Sequence, residues 1–255
     1  MCYKKLKGKK VLITAGAQGI GESITKHFIE SGSVVTIHYY SSNKRAEELV
    51  DYAKEMGLEA IALKADLTKE EEAINLVVEA AKFMKGIDIL INNAGSLIKR
   101  SNLEVIETDL WTKIMDVNLT SMMFVTRAAV SYLCENKESS IVNLASLAGR
   151  KGGHAGSIAY ATSKGAILTF TRALSTEFGS QGIRVNAVAP GLILGTSFHN
   201  THTTEESANK TIANIPIRRA GNSDDVARAV LYLASEYDGF ITGATLDING
   251  GTYLM

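Results

Sequence analysis

Residues 10–21, KVLITAGAQGIG, set a short β-branched run directly before a turn that carries Gly16, Gly19 and Gly21. Beyond the turn, Ile20, Ile24 and Phe28 recur at spacing four, the repeat of one helix face. Strand, glycine turn and helix therefore follow one another. Glycines in such a turn let backbone N–H groups approach a phosphate at the positive end of the helix. Their order is not the G-x-G-x-x-G of the commonest dinucleotide fingerprint, and a tight turn with nothing bound is the plainer alternative.

The alternation continues outward: SVVTIHY (33–39) precedes the amphipathic NKRAEELVDYAKEM (43–56). EAIALKAD (59–66), IDILINNAG (87–95), SSIVNLAS (139–146), IRVNAVAP (183–190) and ATLDIN (244–249) complete a set of about seven strands. Apolar runs separated by helices belong to a parallel sheet covered on both faces, with ligands at the carboxyl ends of its strands. The expected architecture is α/β: one domain over residues 1–255, with a doubly wound parallel sheet and helices on both faces.

Lys+Arg and Asp+Glu both number 27, so no overall field recruits nucleic acid or an anionic membrane. No apolar stretch approaches the ~20 residues that span a bilayer, and VLIT after the basic opening is too short for a secretory core. Cys2 and Cys134 are too few for a disulfide framework, which fits a reducing, cytoplasmic setting.

Tyr160 and Lys164, in SIAYATSKGAI (157–167), stand four residues apart and so leave the same helix face one turn apart. Tyr3/Lys7 and Tyr40/Lys44 repeat that spacing, so spacing alone decides nothing. Only the third pair has a serine at a preceding strand end, Ser146, and a following apolar helix, AILTFTRAL. Asn118, in MDVNLTS, interrupts an otherwise apolar helix; a buried Asn usually only satisfies backbone groups. Asp66, taken singly, reads as a turn or helix cap.

With TAGAQGIG, NNAG, AYATSK and VAPG in this order over almost the whole chain, the sequence resembles the short-chain dehydrogenase/reductase family. The resemblance implies a Rossmann fold in which Gly16, Gln18, Gly19, Ile20 and Gly21 form the pyrophosphate loop, Asp66 and Leu67 frame adenine, and Asn93, Ala94 and Gly95 line the nicotinamide ribose. Pro190 and Gly191 then turn the chain beneath the nicotinamide, with Ile193 and Thr196 near its carboxamide; the threonine comes one residue later than the usual spacing. Ala15 stands where the family has its first loop glycine.

About 20 residues beyond that loop, a carboxylate at the end of the second strand would accept the ribose hydroxyls of NAD. Tyr39 holds that place, no Asp or Glu occurs from Ser31 to Ala46, and Ser41, Ser42, Asn43, Lys44 and Arg45 cluster behind it. Without a carboxylate to repel a 2′-phosphate, NADP(H) is favoured over NAD(H). The same SSNKR also suits a helix cap.

By resemblance, Asn118, Ser146, Tyr160 and Lys164 are the catalytic set. Hydride delivered to a carbonyl leaves an alkoxide that needs a proton, and Tyr160 is the acid in reduction and the base in oxidation. Bringing a tyrosine from about 10 to near 7 takes about 4 kcal/mol, for which Lys164 and the oxidised nicotinamide supply positive charge. Ser146 is implied to bond the substrate oxygen, Lys164 to hold the nicotinamide ribose as well, and Asn118 to position a water.

The segment 195–218, with Asn200, Thr201, His202, Thr203 and Thr204, is polar as expected of a substrate lid. His199 and His202 lack a third ligand, so no metal is expected. Hydroxyl-rich walls suit a small polar ketone, sugar or polyol ahead of a long acyl chain, with His154 facing the same mouth by family geometry. Many similar chains are 3-oxoacyl-[acyl-carrier-protein] reductases, whose ending LDINGGTYLM resembles; the carrier-docking places fall at Lys137 and Gln181, only one of them basic. A non-catalytic nucleotide sensor is the other class, one expected to lack Tyr160 or Lys164. A homotetramer is implied by resemblance alone.

Overall fold

The structure, a computed structural model, describes residues 4–136, 138–196, 201, 203–235 and 239–254. Seven strands, β1 (Lys10–Ile13), β2 (Val34–Tyr39), β3 (Ala60–Lys64), β4 (Ile89–Asn92), β5 (Ser139–Leu144), β6 (Ile183–Pro190) and β7 (Thr245–Ile248), form one sheet. All six pairings are parallel, in the order β3-β2-β1-β4-β5-β6-β7.

Alternate side chains of each strand enter different layers, because successive Cβ atoms point to opposite faces. Val11, Ile13, Ile89, Ile91, Val142 and Val188 pack with Ile24 and Phe28 of α1 (Gly19–Glu30), Leu49 of α2 (Asn43–Glu55) and Val226 and Leu231 near the C-terminus. Leu12, Leu90, Ile141 and Val185 enter the other layer with Leu76 of α3 (Glu70–Met84) and the helices after β4 and β5. With both faces covered, Val11, Leu12 and Ile13 are all fully buried, and the strand reads as a continuous apolar run.

Between β4 and β5 run α4 (Thr108–Met115) and α5 (Ser121–Cys134), joined without a break by one wide turn over Asp116–Thr120. Such π-type turns insert a residue into a helix and often mark functional positions; this one centres on Asn118. After β5 come α6 (Leu147–Lys151), capped by the Ser146 side chain, and α7 (Ile158–Phe178), which carries Tyr160 and Lys164. Within the expected lid lies a helix, α8 (Glu205–Ala213), followed by α9 (Ser223–Ala234), which packs on α1. The strand order reverses direction between β1 and β4, the crevice where open α/β sheets bind ligands.

Candidate active site

The loops leaving β1 and β4 are clipped together at that crevice. Thr14 Oγ1 accepts the N–H groups of Asn93 and Ala94, each at 2.9 Å. Asn93 Nδ2 donates back to the Thr14 and Ala15 carbonyls at 3.1 and 3.0 Å. Gly21 is enclosed by the same groups: a Cβ there would lie 2.1 Å from the Ala15 oxygen and 2.5 Å from Asn93 Nδ2. Only glycine lets α1 begin this close to the loop, which leaves its N-terminal N–H groups facing the crevice.

Ala15 adopts φ 48°, the left-handed region that costs an L-residue about 1–2 kcal/mol. Its N–H donates to His38 Nδ1 at 2.9 Å, and His38 Nε2 reaches the Ala65 carbonyl at 3.1 Å. Burial pushes His38 down to about 4, against the hydrogen bond to Ala65. The ring is therefore neutral at physiological pH, with its proton on Nε2, and it links the ends of β1, β2 and β3.

Across the crevice Ser146, Tyr160 and Lys164 converge. Ser146 Oγ accepts from Ala148 N–H at 3.1 Å and hydrogen-bonds the Tyr160 phenol. Lys164, 4% exposed, donates to the Leu144 carbonyl at 2.7 Å, with Nζ 5.7 Å from the Tyr160 ring centroid. Burial lowers Lys164 to about 8. Half-buried Tyr160 is pushed up to about 12 by the protein packed around it, against the lowering effect of Ser146. The protein's own groups thus hold the phenol protonated, the form that donates a proton.

Asn118 is fully buried: its Nδ2 donates to the Ser96 and Ile114 carbonyls at 2.7 and 2.8 Å, and its Oδ1 accepts Ser96 N–H at 3.1 Å. Both amide donors are committed to backbone, so the side chain fixes the β4 loop. A Cβ on Gly95 would stand 2.6 Å from Asn118 Oδ1 and 3.0 Å from Lys164 Nζ, which brings that loop against α7.

One cleft of about 900 Å³ joins these parts. Of the residues expected at the site, Gln18, Gly19, Ile20, Gly21, Asn93, Gly95, Ser146, Tyr160, Lys164, Pro190, Gly191, Ile193 and Thr196 line it. Thr196, whose register looked one residue late, is buried over the glycine loop, its side chain 3.5 Å from where a Cβ of Gly19 would be. Thr201, Thr203, Thr204, Ser207 and Thr211 form a hydroxyl-bearing wall, with His154 on the same cleft. His199, Asn200 and His202 lie outside the described residues. Among the described residues no cluster of three metal-ligating side chains occurs, and no helix is long and apolar enough to cross a membrane.

A family model described as Enoyl-(Acyl carrier protein) reductase matches residues 14–253. Over 249 residues, 98% of this chain and 86% of the relative, the sequence is 36% identical to the uncharacterized oxidoreductase YhxC of Bacillus subtilis. The chain belongs to the short-chain dehydrogenase/reductase family. It is also 32% identical to glucose 1-dehydrogenase 2 of B. subtilis (99% and 97% of the two chains) and 31% identical to the 3-oxoacyl-[acyl-carrier-protein] reductase FabG of Staphylococcus epidermidis (96% and 99%). Among solved structures it resembles the NADH-dependent reductase A1-R' complexed with NAD (TM-score 0.88, 32% identity, 99% and 100% covered). It is equally like a short chain dehydrogenase from Burkholderia cenocepacia in complex with NADP (TM-score 0.91, 31%, 97% and 99%). This short-chain dehydrogenase/reductase is thus an oxidoreductase of alcohols and carbonyls that uses a nicotinamide dinucleotide.

The other expected residues of this oxidoreductase are not among those lining the cleft. Asp66 Oδ1 accepts the N–H and hydroxyl of Thr68, at 3.1 and 2.7 Å, as a turn residue does, and Leu67 is buried. Tyr39 ends β2 with its hydroxyl on Asn43 Oδ1 at 2.5 Å, and Ser42 Oγ donates to Gln18 Oε1 at 3.1 Å; Ser41 is exposed beside them. Gly16 lies under the loop, its N–H on the His38 carbonyl at 2.8 Å, and Ala94 is held by Thr14.

Arg45, one of the cations expected for a 2′-phosphate, is ion-paired with Glu22 of α1 and Glu48 of α2. Glu22 lies far away in sequence, so only folding reveals the pair. Lys137 lies outside the described residues, and Gln181 Oε1 accepts from Cys134 Sγ at 3.0 Å. The sequence reading missed Thr14 and His38; a histidine ending a buried strand beside Tyr39 was the available signal.

Proposed function

We propose that this enzyme reduces the carbonyl of a small polar ketone or sugar with NADP(H), and runs the reverse oxidation through the same groups. The observation that carries the reading is the Ser146–Tyr160 hydrogen bond with the Lys164 ammonium 5.7 Å from the ring centroid, all on one cleft. Ser146 and Tyr160 hold the carbonyl oxygen between two hydroxyls. As that oxygen gains charge, the Tyr160 O–H bond breaks and the proton passes to it. Lys164, lowered to about 8 and still mostly charged at pH 7, stabilises the phenolate left behind. Asn118 acts through the Ser96 backbone it fixes, and a water in the proton path would rest on that backbone.

The close-packed start of α1 at Gly21 fits a pyrophosphate approaching backbone N–H groups. Gly19, Ile20 and Gly21 would hold it, Asp66 and Leu67 the adenine, and Asn93 to Gly95 with Lys164 the nicotinamide ribose. A nicotinamide held there would supply the hydride for the carbonyl carbon in reduction and would accept it in oxidation. The β2 end offers Tyr39, Ser41 and Ser42 and no carboxylate, which supports NADP(H) even with Arg45 engaged elsewhere.

The polar substrate is supported by the hydroxyl wall, Thr201 to Thr211, and by the glucose dehydrogenase relative. The FabG relative supports a carrier-bound 3-oxoacyl chain instead. A homotetramer in the cytoplasm completes the reading, and light scattering measures the assembly. Tyr160→Phe tests the chemistry: cofactor titration stays nearly unchanged while turnover falls at least a hundred-fold, the span of lost general acid catalysis. Retained turnover would refute the assignment.

A further inference from the structure

Three basic side chains gather on the substrate side of the cleft. Lys151 closes α6, the helix that Ser146 caps, His154 follows in the loop to α7, and Arg100 comes from the loop after β4. All three line the cleft. Arg100 Nη1 donates to the Ala155 carbonyl at 3.3 Å, and Ser101 N–H to the Gly156 carbonyl at 2.9 Å, so the two loops are joined beside His154. His154 is lowered first by burial and then by the charges of Arg100 and Lys151, which places each of the two cations within electrostatic reach of His154. Among the described residues that line the cleft there is no Asp or Glu. The protein as a whole is neutral, yet this cleft carries two exposed cations, Arg100 and Lys151, which set a positive field for an entering ligand.

We infer that the substrate carries an anionic group, a carboxylate or phosphate, held by Arg100 and Lys151 while its carbonyl lies at Ser146 and Tyr160. The inference rests on the carbonyl reductase reading above and names its substrate class. The positive charge of a guanidinium and an ammonium attracts either oxyanion, and the hydroxyl wall suits a polyhydroxylated chain between the two ends.

The test compares pairs that differ only in charge: 5-keto-D-gluconate against L-sorbose for a carboxylate, and D-fructose 6-phosphate against D-fructose for a phosphate, with acetoacetyl thioester as a separate arm. The anionic member of one pair is expected to show at least roughly ten-fold higher kcat/KM, a ratio that shrinks with added salt as an ionic contact does. Arg100→Gln and Lys151→Gln should each cut that ratio about ten-fold through KM. Lys99→Gln, an exposed neighbour outside the cleft lining, should leave it in place. Which pair responds identifies the oxyanion. Equal use of charged and neutral members, or ratios unmoved in both variants, overturns the anionic substrate and leaves the polar carbonyl reading standing. Turnover of acetoacetyl thioester with none of either pair overturns both.

Discussion

Replacing Lys164 with methionine should make the protein more stable at neutral pH while removing its activity. The side chain is 4% exposed, and burial lowers its pKa from 10.5 to about 8, so the folded state disfavours the charge that the unfolded chain carries freely. A gap of that size costs about 3 kcal/mol at pH 7 and about 1 kcal/mol at pH 9.5. Between those values the unfolded chain binds more protons than the folded one, so wild-type stability from this group rises with pH. Methionine, of similar length, abolishes the cost and forfeits the hydrogen bond to the Leu144 carbonyl, worth about 1–2 kcal/mol. The expected net is a gain of about 1–2 kcal/mol at pH 7 that fades or reverses by pH 9.5. Urea unfolding of both proteins at equal concentration at the two pH values measures it, beside cofactor titration and turnover. A variant less stable at pH 7 by the same amount as at pH 9.5 would refute the reasoning that burial, and not a structural role, governs Lys164.

Tyr39→Asp should shift the NADP/NAD ratio of kcat/KM toward NAD at least ten-fold, because a carboxylate accepts ribose hydroxyls and repels the 2′-phosphate; an unchanged ratio would remove Tyr39 from the ribose site. Gly21→Ala puts a methyl 2.1 Å from the Ala15 oxygen, so a loss of about 2–3 kcal/mol of stability and a weakened cofactor affinity are expected in calorimetry and titration. In the pH dependence, alcohol oxidation needs the Tyr160 phenolate, which burial disfavours, so its kcat/KM should rise from pH 7 to 10 while carbonyl reduction does not rise. Oxidation that is fastest in acid would exclude Tyr160 as the base.

The sequence by itself determined the seven strands and their parallel arrangement, because alternating apolar runs and helices have few ways to be buried. Val11, Leu12 and Ile13 are apolar on both sides of their strand, which only a sheet covered on both faces satisfies. It also singled out Tyr160 and Lys164 from two identical spacings, since only that pair follows Ser146 and leads into an apolar helix, and the fold sets them on one cleft. Helical geometry puts residues four apart on one face, but the same spacing at Tyr3/Lys7 and Tyr40/Lys44 left the choice to the neighbouring motifs and the family resemblance.

Tertiary structure decided what depends on groups distant in the chain. Arg45 looked available for a phosphate until Glu22, on another helix, took it up. Ala15 holds its left-handed conformation beside His38, and Asn118 is directed to the Ser96 backbone by a wide helical turn that no periodicity announces. The acidity of Tyr160 and Lys164 was legible only in kind: which residues titrate follows from their chemistry, but the direction of each shift follows from desolvation, a property of everything packed around them.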